Sequence, residues 1–330
     1  MIIESRAYAR AGLLGNPSDG YFGKTVSITV KNFGAGVSLY QTPELVFEET
    51  EDANSFRNIY HLAENVKQKG YYGGRRLIMA TVKKFLDYCE ENQVRLPNKN
   101  FTVRYRSSIP RQVGLAGSSA IMTAALRALM QFYGVEIPLD RIPNIILAAE
   151  KDELGINAGL QDRVIQAYEG CVYMDFDRSY FENHGHGKYE RIDPNLLPKL
   201  YLAYKTDLSK VSGAVHNNLK ERFDRGEELV IKTIDELAGV AEQGRTAILN
   251  KNYGLLNELI DHNFNLRCKI MNISDSNMEL VETARKSGAS AKFTGSGGAI
   301  VGMYKNDDIL SKLIVNLKRI NARVIKPYIV

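Results

Sequence analysis

The stretch Thr25–Phe33 (TVSITVKNF) alternates β-branched and polar residues strictly, the period-two pattern of a strand with one buried face. Before it, residues 2–15 alternate more loosely and end on the turn-forming run Gly15-Asn16-Pro17-Ser18-Asp19-Gly20. Gly36–Gln41 and Glu44–Thr50 continue as short strands, so residues 1–50 read as a β-meander. The period then lengthens. Over 73–92, Leu77, Ile78, Val82, Phe85, Leu86 and Cys89 form an apolar stripe at helical spacing, opposite Lys83, Lys84, Asp87 and Glu90. Phe101–Arg106 returns to strand alternation, and an Ala/Leu/Met-rich helix runs from Ser118 to Tyr133, stopped by Gly134. The pattern predicts further helices over 139–153 and 160–170.

Residues 173–199 (YMDFDRSYFENHGHGKYERIDPNLLPK) mix Gly, Pro, Asn and Asp and read as a linker between two halves. The expected domains are therefore 1–195 and 196–330. After a strand at Leu200–Tyr204, residues 215–270 read as mostly helical, with breaks near Gly226 and Gly254. A helix over 276–287, a Gly-rich turn at 295–298, a strand over 299–304, a helix over 307–320 and a last strand complete the pattern. Strands before and beside helices in both halves predict an α+β fold rather than a regular βαβ array.

Composition narrows the function classes. The 330 residues are 44% hydrophobic and 25% charged, a globular balance with enough chain for one large domain or two moderate ones. A formal charge of +5 suits an anionic small substrate. The lysines and arginines are scattered, however, without the clustered basic run of a nucleic-acid footprint. Three cysteines with no CxxC pair argue against a disulfide framework or a thiolate zinc site, and for a reduced, cytoplasmic setting. The opening MIIESRAYARAGLLG carries charges where a signal peptide has its apolar core, and no segment approaches the roughly 18 apolar residues of a membrane span. The HGHG at 184–187 lacks a carboxylate at ligand spacing and is not read as a metal site.

Four stretches carry candidate chemistry. IPRQVGLAGSSA (109–120) passes from strand through a Gly-rich turn into a helix that begins on two serines. Unpaired N–H groups at such a helix start attract anions, and glycines let the backbone approach a phosphate. A serine hydroxyl there can also ligate magnesium, although no GK[ST] follows and the loop is not a Walker A. In LAAEKDELGINAGLQDRV (147–164), Glu150 and Asp162 could divide the work of holding a hard cation and orienting a hydroxyl. SRAYARAGLLGNPSDGYFG (5–23) offers Arg6 and Arg10 on one strand face and Asp19 in a turn, and KFTGSGGAIV (292–301) sets three glycines before an apolar strand. Taken singly, each has a plain structural reading: a capped helix, a solvated helix face, surface arginines, a hairpin turn.

Together, RAYARAGLLGNPSD, IPRQVGLAGSSA and KFTGSGGAIV resemble the three motifs of the GHMP kinase superfamily, in the family's order and across nearly the whole chain. The second motif departs from the usual GLGSS by one added residue in Gly114-Leu115-Ala116-Gly117-Ser118-Ser119. The resemblance implies a two-domain fold, with an N-terminal domain like ribosomal protein S5 domain 2 and a ferredoxin-like C-terminal domain. It implies ATP and magnesium as well. Asp162 matches the catalytic aspartate that accepts the proton of the attacking hydroxyl, and Arg10 the basic residue that keeps that aspartate ionised. Pro110 and Gly114–Ser119 (Gly114, Leu115, Ala116, Gly117, Ser118, Ser119), with Ala120, match the loop around the nucleotide phosphates. Ser119 and Glu150 match the magnesium ligands, with Asp152 and Glu153 as close neighbours of the latter. Asp19 matches the ligand of sugar hydroxyls. Arg6, Tyr21, Gln161, Arg163, Thr294, Gly295, Ser296 and Gly297 are the remaining expected substrate residues.

The wording AYARAGLLGNPSDGYFGKT, GYYGG and AGLQDRV further resembles the glucuronokinase branch. That implies phosphoryl transfer from ATP to the anomeric hydroxyl of D-glucuronate. The alternative is a heptose-phosphate or other sugar 1-kinase, where GGGTD tends to replace Gly15–Asp19 and KQDQ tends to replace Leu160–Arg163. A uronate carboxylate calls for a cation, for which Arg6, Lys24, Arg75 and Arg163 are the candidates, and Tyr21, Tyr71 and Tyr72 could line the sugar pocket. Two other classes, a nucleotide sensor without catalysis and an S5-like nucleic-acid module, fit the motif residues and the scattered charge less well. The expected partners are a sugar and ATP, with no nucleic acid and no membrane, in a monomer or homodimer.

Overall fold

The computed structural model describes residues 2–48, 54–69, 75–206 and 219–330. Tyr71 and Tyr72, the GYYGG stretch and residues 215–218 lie outside them. The chain opens with β1 (Ile2–Leu14), a 3-10 turn (Ser18–Tyr21), β2 (Lys24–Thr42), β3 (Leu45–Phe47), β4 (Asn54–Phe56), α1 (Ile59–Lys69), α2 (Arg76–Glu91) and β5 (Asn100–Ser107). Next come α3 (Gly117–Tyr133), α4 (Ile142–Ala148) with a π-helical turn (Ala149–Glu153), α5 (Gln161–Tyr168), β6 (Cys171–Asp175), α6 (Arg178–His184) and β7 (Lys188–Ile192). The remainder is β8 (Leu200–Lys205), α7 (Leu219–Asp224), α8 (Glu228–Leu249), α9 (Tyr253–Ile270), α10 (Asp275–Lys286), β9 (Lys292–Phe293), β10 (Ala299–Met303), α11 (Asp307–Arg319) and β11 (Ala322–Ile325). Among the described residues no helix is long and apolar enough to cross a membrane.

Packing divides the chain into two units. The first comprises Met1–Ala9, Phe33–Ile109 and Ala116–Ala167. In it the later part of β2 runs antiparallel to β5, Ala35 opposite Ser107 through Thr42 opposite Asn100. β3 lies parallel beside β5, and β4 antiparallel to β3. Alternate residues Val37, Leu39, Phe101 and Val103 are buried, as the period-two pattern demands. The stripe Ile78, Val82, Phe85, Leu86 and Cys89 of α2 is buried too. On α3 a run of small and medium residues from Ala120 to Leu129 fills the core, and Phe132 meets Phe101 edge-on at 5.4 Å.

The second unit comprises Arg10–Asn32, Pro110–Leu115 and Tyr168–Val330. Lys24–Ile28 of β2 pairs antiparallel with β6, and β6 with β7. A separate antiparallel sheet has the order β11-β8-β10-β9. Its core is Tyr201, Ala203, Ile300 and Phe293 from the strands, with Phe264 of α9, Leu280 and Val281 of α10, and Leu313 and Leu317 of α11. Helices α8 and α9 pack along each other. Gly244 of α8 is a glycine for a visible reason: a Cβ there would sit 1.9 Å from Leu14 Cδ1.

Two expectations need correction. Residues 25–33 and 36–41 belong to one 19-residue strand, β2, because the ladder continues through Gly34 and Gly36 with Ala35 paired to Ser107. The segment 173–199 is not a linker but carries most of β6, all of α6 and β7, and a short 3-10 turn. Its polar residues and glycines are the punctuation of short elements. Asp177 caps α6 by accepting from Tyr180 N–H at 2.9 Å, and Gly185 ends it in the left-handed conformation. The break expected near Gly254 is present, at 250–252. There Asn252 caps α9 through Leu255 N–H, leaving Gly254 inside the first turn. The periodicity also passed over α1.

Candidate active site

In the stretch 112–116, Gln112, Gly114 and Ala116 have positive φ of 59°, 69° and 59°, with Val113 and Leu115 between them. Left-handed residues alternating with right-handed ones are the backbone pattern of a concave, anion-binding array of N–H groups. Ala116 is then the N-cap of α3, with no side-chain cap and no acidic residue in the first turn. The first backbone bond of α3 runs from Ala120 N–H to Ala116 O at 3.2 Å. The N–H groups before it, Gly117 to Ser119, are the orphan donors at the positive end of a long helix.

Around that helix start the first unit gathers charged side chains. Glu150 is held in the π-helical turn with no solvent exposure. Its Oε1 accepts from Ser118 Oγ at 3.3 Å, and its Oε2 accepts from Arg163 Nε at 2.5 Å and from Nη2 as well. Arg163 Nη1 donates to Gly159 O at 2.7 Å and lies 3.5 Å from Asp162 Oδ2. One guanidinium thus bridges two carboxylates. Burial raises the Glu150 pKa even against the Arg163 charge and hydrogen bonds, with Asp162 adding repulsion. Asp162 stands half-buried in the first turn of α5 beside buried Gln161. Ser119 is buried and its Oγ donates to Ala116 O at 3.3 Å, so Ser118 is the hydroxyl that reaches Glu150. The sequence reading missed Gln166, whose Nε2 donates to Ala116 O at 2.9 Å and Tyr8 O at 3.3 Å, fixing the left-handed residue. Its signal was its place one helical turn after Asp162.

In the second unit the three Gly-rich motifs meet. Arg10 donates from its N–H to Leu115 O at 3.3 Å, and from Nη1 to Gly114 O at 2.6 Å and Thr294 O at 3.2 Å. Thr294 Oγ1 donates to the same Gly114 O at 3.0 Å, and Gly12 N–H to Thr294 O at 2.8 Å. A Cβ on Gly114 would lie 2.9 Å from Gly297 O and 3.0 Å from Ser296 N, so backbone meets backbone with no room for a side chain. Ser296 itself is exposed. Asp19 and Tyr21 share the 3-10 turn after β1. The Tyr21 ring packs 4.8 Å from Phe223, and its hydroxyl is pushed up to about 12 by burial, then by the charges of Asp19 and Asp224.

Below these motifs lie cations and amides that periodicity did not single out as functional. Asn263 of α9 accepts from Gly15 N–H through Oδ1 at 2.6 Å. Arg267, one turn later, donates from Nη1 to Gly295 O at 2.8 Å. Lys292 Nζ donates to Gly12 O at 2.6 Å, Asn16 Oδ1 at 2.5 Å and Phe293 O at 2.9 Å. Burial holds its pKa well below the usual lysine value, with Arg267 and Arg10 adding repulsion. The readable signal was polar Asn263 and Arg267 at helical spacing among Leu259, Ile260, Phe264 and Ile270. Of the cations proposed for a uronate carboxylate, Arg6 is exposed on β1, Lys24 pairs with Glu242 at 2.9 Å, and Arg163 is committed as above. Arg75 is buried at the start of α2.

Residues 76–170 match the model of the GHMP kinases N terminal domain, and residues 245–322 that of the GHMP kinases C terminal. The chain is 47% identical over 306 residues to glucuronokinase 1 of Arabidopsis thaliana, covering 91% of this chain and 84% of that one. It is 45% identical to probable glucuronokinase 2 of the same plant, over 99% of this chain and 91% of that one. The solved mevalonate kinase of Methanococcus jannaschii superposes with a TM-score of 0.74 at 20% identity, over 100% of this chain and 98% of the other, a likeness of fold. With the α+β elements described above, these matches identify the two-domain GHMP kinase fold. The chain belongs to the GHMP kinase family and is a phosphotransferase with an alcohol group as acceptor.

Proposed function

We propose that the protein is a sugar 1-kinase that transfers the γ-phosphoryl group of ATP to the anomeric hydroxyl of D-glucuronate, giving glucuronate 1-phosphate and ADP. The observation that carries this reading is Glu150 and Asp162 bridged by Arg163, with Ser118 on Glu150, at the uncapped start of α3. Similarity to the Arabidopsis glucuronokinases supports the sugar. The domains proposed are 1–195, carrying the nucleotide loop, and 196–330. The proposed setting is the cytoplasm, with the sugar and ATP as small-molecule partners and a monomer or homodimer as the assembly.

Phosphoryl transfer asks a protein mainly for positioning and charge neutralisation. The donor array of 112–119 would cradle the nucleotide phosphates. Magnesium fits the hard oxygens of Glu150 and a first-turn serine, Ser118 by geometry or Ser119 by motif order, and when bound neutralises phosphate charge. Arg163 holds Glu150 in place by one oxygen and leaves Oε1 on the serine side. Asp162 accepts the proton of the anomeric hydroxyl as its oxygen bonds to the γ-phosphorus and the bond to the β–γ bridging oxygen breaks. Arg10 steadies the negative charge that builds on the nucleophile. Asp19, Tyr21, Gln161 and the Thr294–Gly297 turn contact the sugar.

The test is ADP release over a panel of free and phosphorylated sugars. Turnover of a heptose phosphate without turnover of glucuronate overturns the substrate assignment. Asp162→Asn should lower kcat by roughly 10²–10⁴-fold, the usual worth of a positioned base, while ADP still binds. Unchanged turnover removes Asp162 from its role.

A further inference from the structure

Arg267 is a buried guanidinium, 4% exposed, whose Nη1 is used on Gly295 O. Its Nε has no hydrogen-bond partner among the described residues. The group stands 5.3 Å over the Phe293 ring, which fixes its plane. Burial is the largest influence on its pKa, with the charge of Arg10 repelling and that of Asp19 attracting it, and it in turn acts on Lys292. Beside the buried Arg10, Arg267 and Lys292 are thus two buried basic groups whose hydrogen bonds among the described residues go to neutral acceptors. Asp19 acts on Arg267 through its charge without forming an ion pair to it among the described residues, and burying a guanidinium with no hydrogen-bonded carboxylate is costly unless a ligand completes the arrangement.

We infer that Arg267, beside Arg10, receives the carboxylate of the sugar substrate and so selects a sugar acid over a neutral sugar. This rests on the sugar-kinase reading above and adds the residue that sets specificity. With Nη1 on Gly295, the Nε edge of the fork remains, and that edge suits a carboxylate taken by two parallel N–H donors. Burial, opposed by Cys268 and Asp19 and helped by Arg10, pulls the group down only to about 10, so it stays charged at neutral pH. A sugar carboxylate is favoured over a nucleotide phosphate because the acidic neighbour of Arg267 is Asp19, the proposed ligand of sugar hydroxyls. Asn263, one turn earlier on α9, anchors Gly15 of the same motif. Of the other cations that could meet a uronate carboxylate, Lys24 and Arg163 are already held by Glu242 and Glu150, and Arg6 is exposed on β1.

The test compares wild type, Arg267→Met and Arg267→Lys by calorimetric titration with D-glucuronate and separately with ADP, alongside steady-state kinetics. The expected result is a glucuronate affinity weakened roughly tenfold to a hundredfold in R267M, and less in R267K, as for a lost charge-assisted pair. KM for glucuronate should rise by more than kcat falls, and the ADP dissociation constant should move far less than that for glucuronate. Equal weakening of both ligands marks a packing role and overturns the inference. Weakening of ADP alone assigns Arg267 to a phosphate and also overturns it. Should R267M fail to fold, R267K decides: glucuronate affinity and KM at wild-type values would sink the carboxylate role. Wild type that neither binds nor turns over glucuronate defeats the underlying substrate reading instead, and the carboxylate role with it.

Discussion

Replacing Gly295 by alanine adds one methyl group where the three motifs converge. Its Cβ would stand 2.6 Å from Gly114 O and 2.9 Å from both Nη1 and Nη2 of Arg10. To reach an ordinary 3.4 Å contact, the guanidinium must retreat by about half an ångström and the carbonyl by about 0.8 Å, a strain of the overpacking kind. Neither can yield freely. Arg10 is tethered to Gly114 O and Thr294 O, and Gly114 O also accepts from Thr294 Oγ1. Overpacking of this kind costs about 1–3 kcal/mol, and a displacement near 1 Å in a catalytic constellation costs about 10²-fold in rate. Gly295→Ala should therefore lower kcat by roughly 10- to 100-fold while Tm falls by only a few degrees. Steady-state ADP release at saturating substrates, paired with thermal unfolding, measures both. Gly239→Ala is the control, since a Cβ there meets nothing within 4 Å and alanine suits the helix interior. If Gly295→Ala kept kcat within about twofold of wild type, Arg10 would not need its present position and the positioning argument would fail.

Lys292→Met removes the donor shared by Gly12 O, Asn16 Oδ1 and Phe293 O, and an orphaned buried acceptor costs about 1–3 kcal/mol, so the urea midpoint should drop. Because the folded state holds Lys292 well below 10.5, the unfolded chain binds that proton more tightly. The wild-type advantage over K292M should accordingly grow as pH rises toward 10.5, and urea titrations showing it shrink would contradict the buried-cation account. Burial pushes the Cys89 and Cys171 thiols up to about 11 and about 12, so both stay protonated at pH 8. Iodoacetamide at that pH should leave Cys89 and Cys171 unmodified in the native protein and modify them in urea; rapid native labelling of either would speak against the packing of α2 or β6.

Much of the fold was legible because its elements bury one face. All of the α2 stripe but Leu77, and Phe101 and Val103 of β5, landed on buried positions, since apolar residues at a matching period have nowhere else to go. The segment 173–199 was illegible for the opposite reason. Edge strand β7 and the short α6 bury little, so their sequence is dominated by Asp177, Gly185 and Gly187. Those residues cap or turn at element ends, and in a single sequence caps crowded together look like a loop.

The site divides along another line. Motif glycines were visible because their chemistry is local: Gly114 and Gly295 carry no side chain, and what they meet is backbone or a guanidinium held against it. The side chains that support them were only faintly visible, because their roles are decided by burial, and a polar residue at helical spacing among apolar ones hints at burial without naming a partner. Arg163 and Glu150 are 13 residues apart and read separately as a substrate contact and a metal ligand, yet they form one buried ion pair. Asn263, Arg267 and Lys292 would each pass for a solvated helix face or a strand edge. What sets them apart is that all three are almost fully enclosed and hydrogen-bonded to residues of the first and third motifs. A buried cation is tolerated only where something answers its charge. Lys292 is answered by three neutral oxygens within 3 Å, a full set for an ammonium. Among the described residues Arg267 has one hydrogen-bonded oxygen and an unpartnered Nε, with Asp19 acting only through its charge, and that difference between two neighbouring basic groups marks Arg267, not Lys292, as the group waiting for an anion.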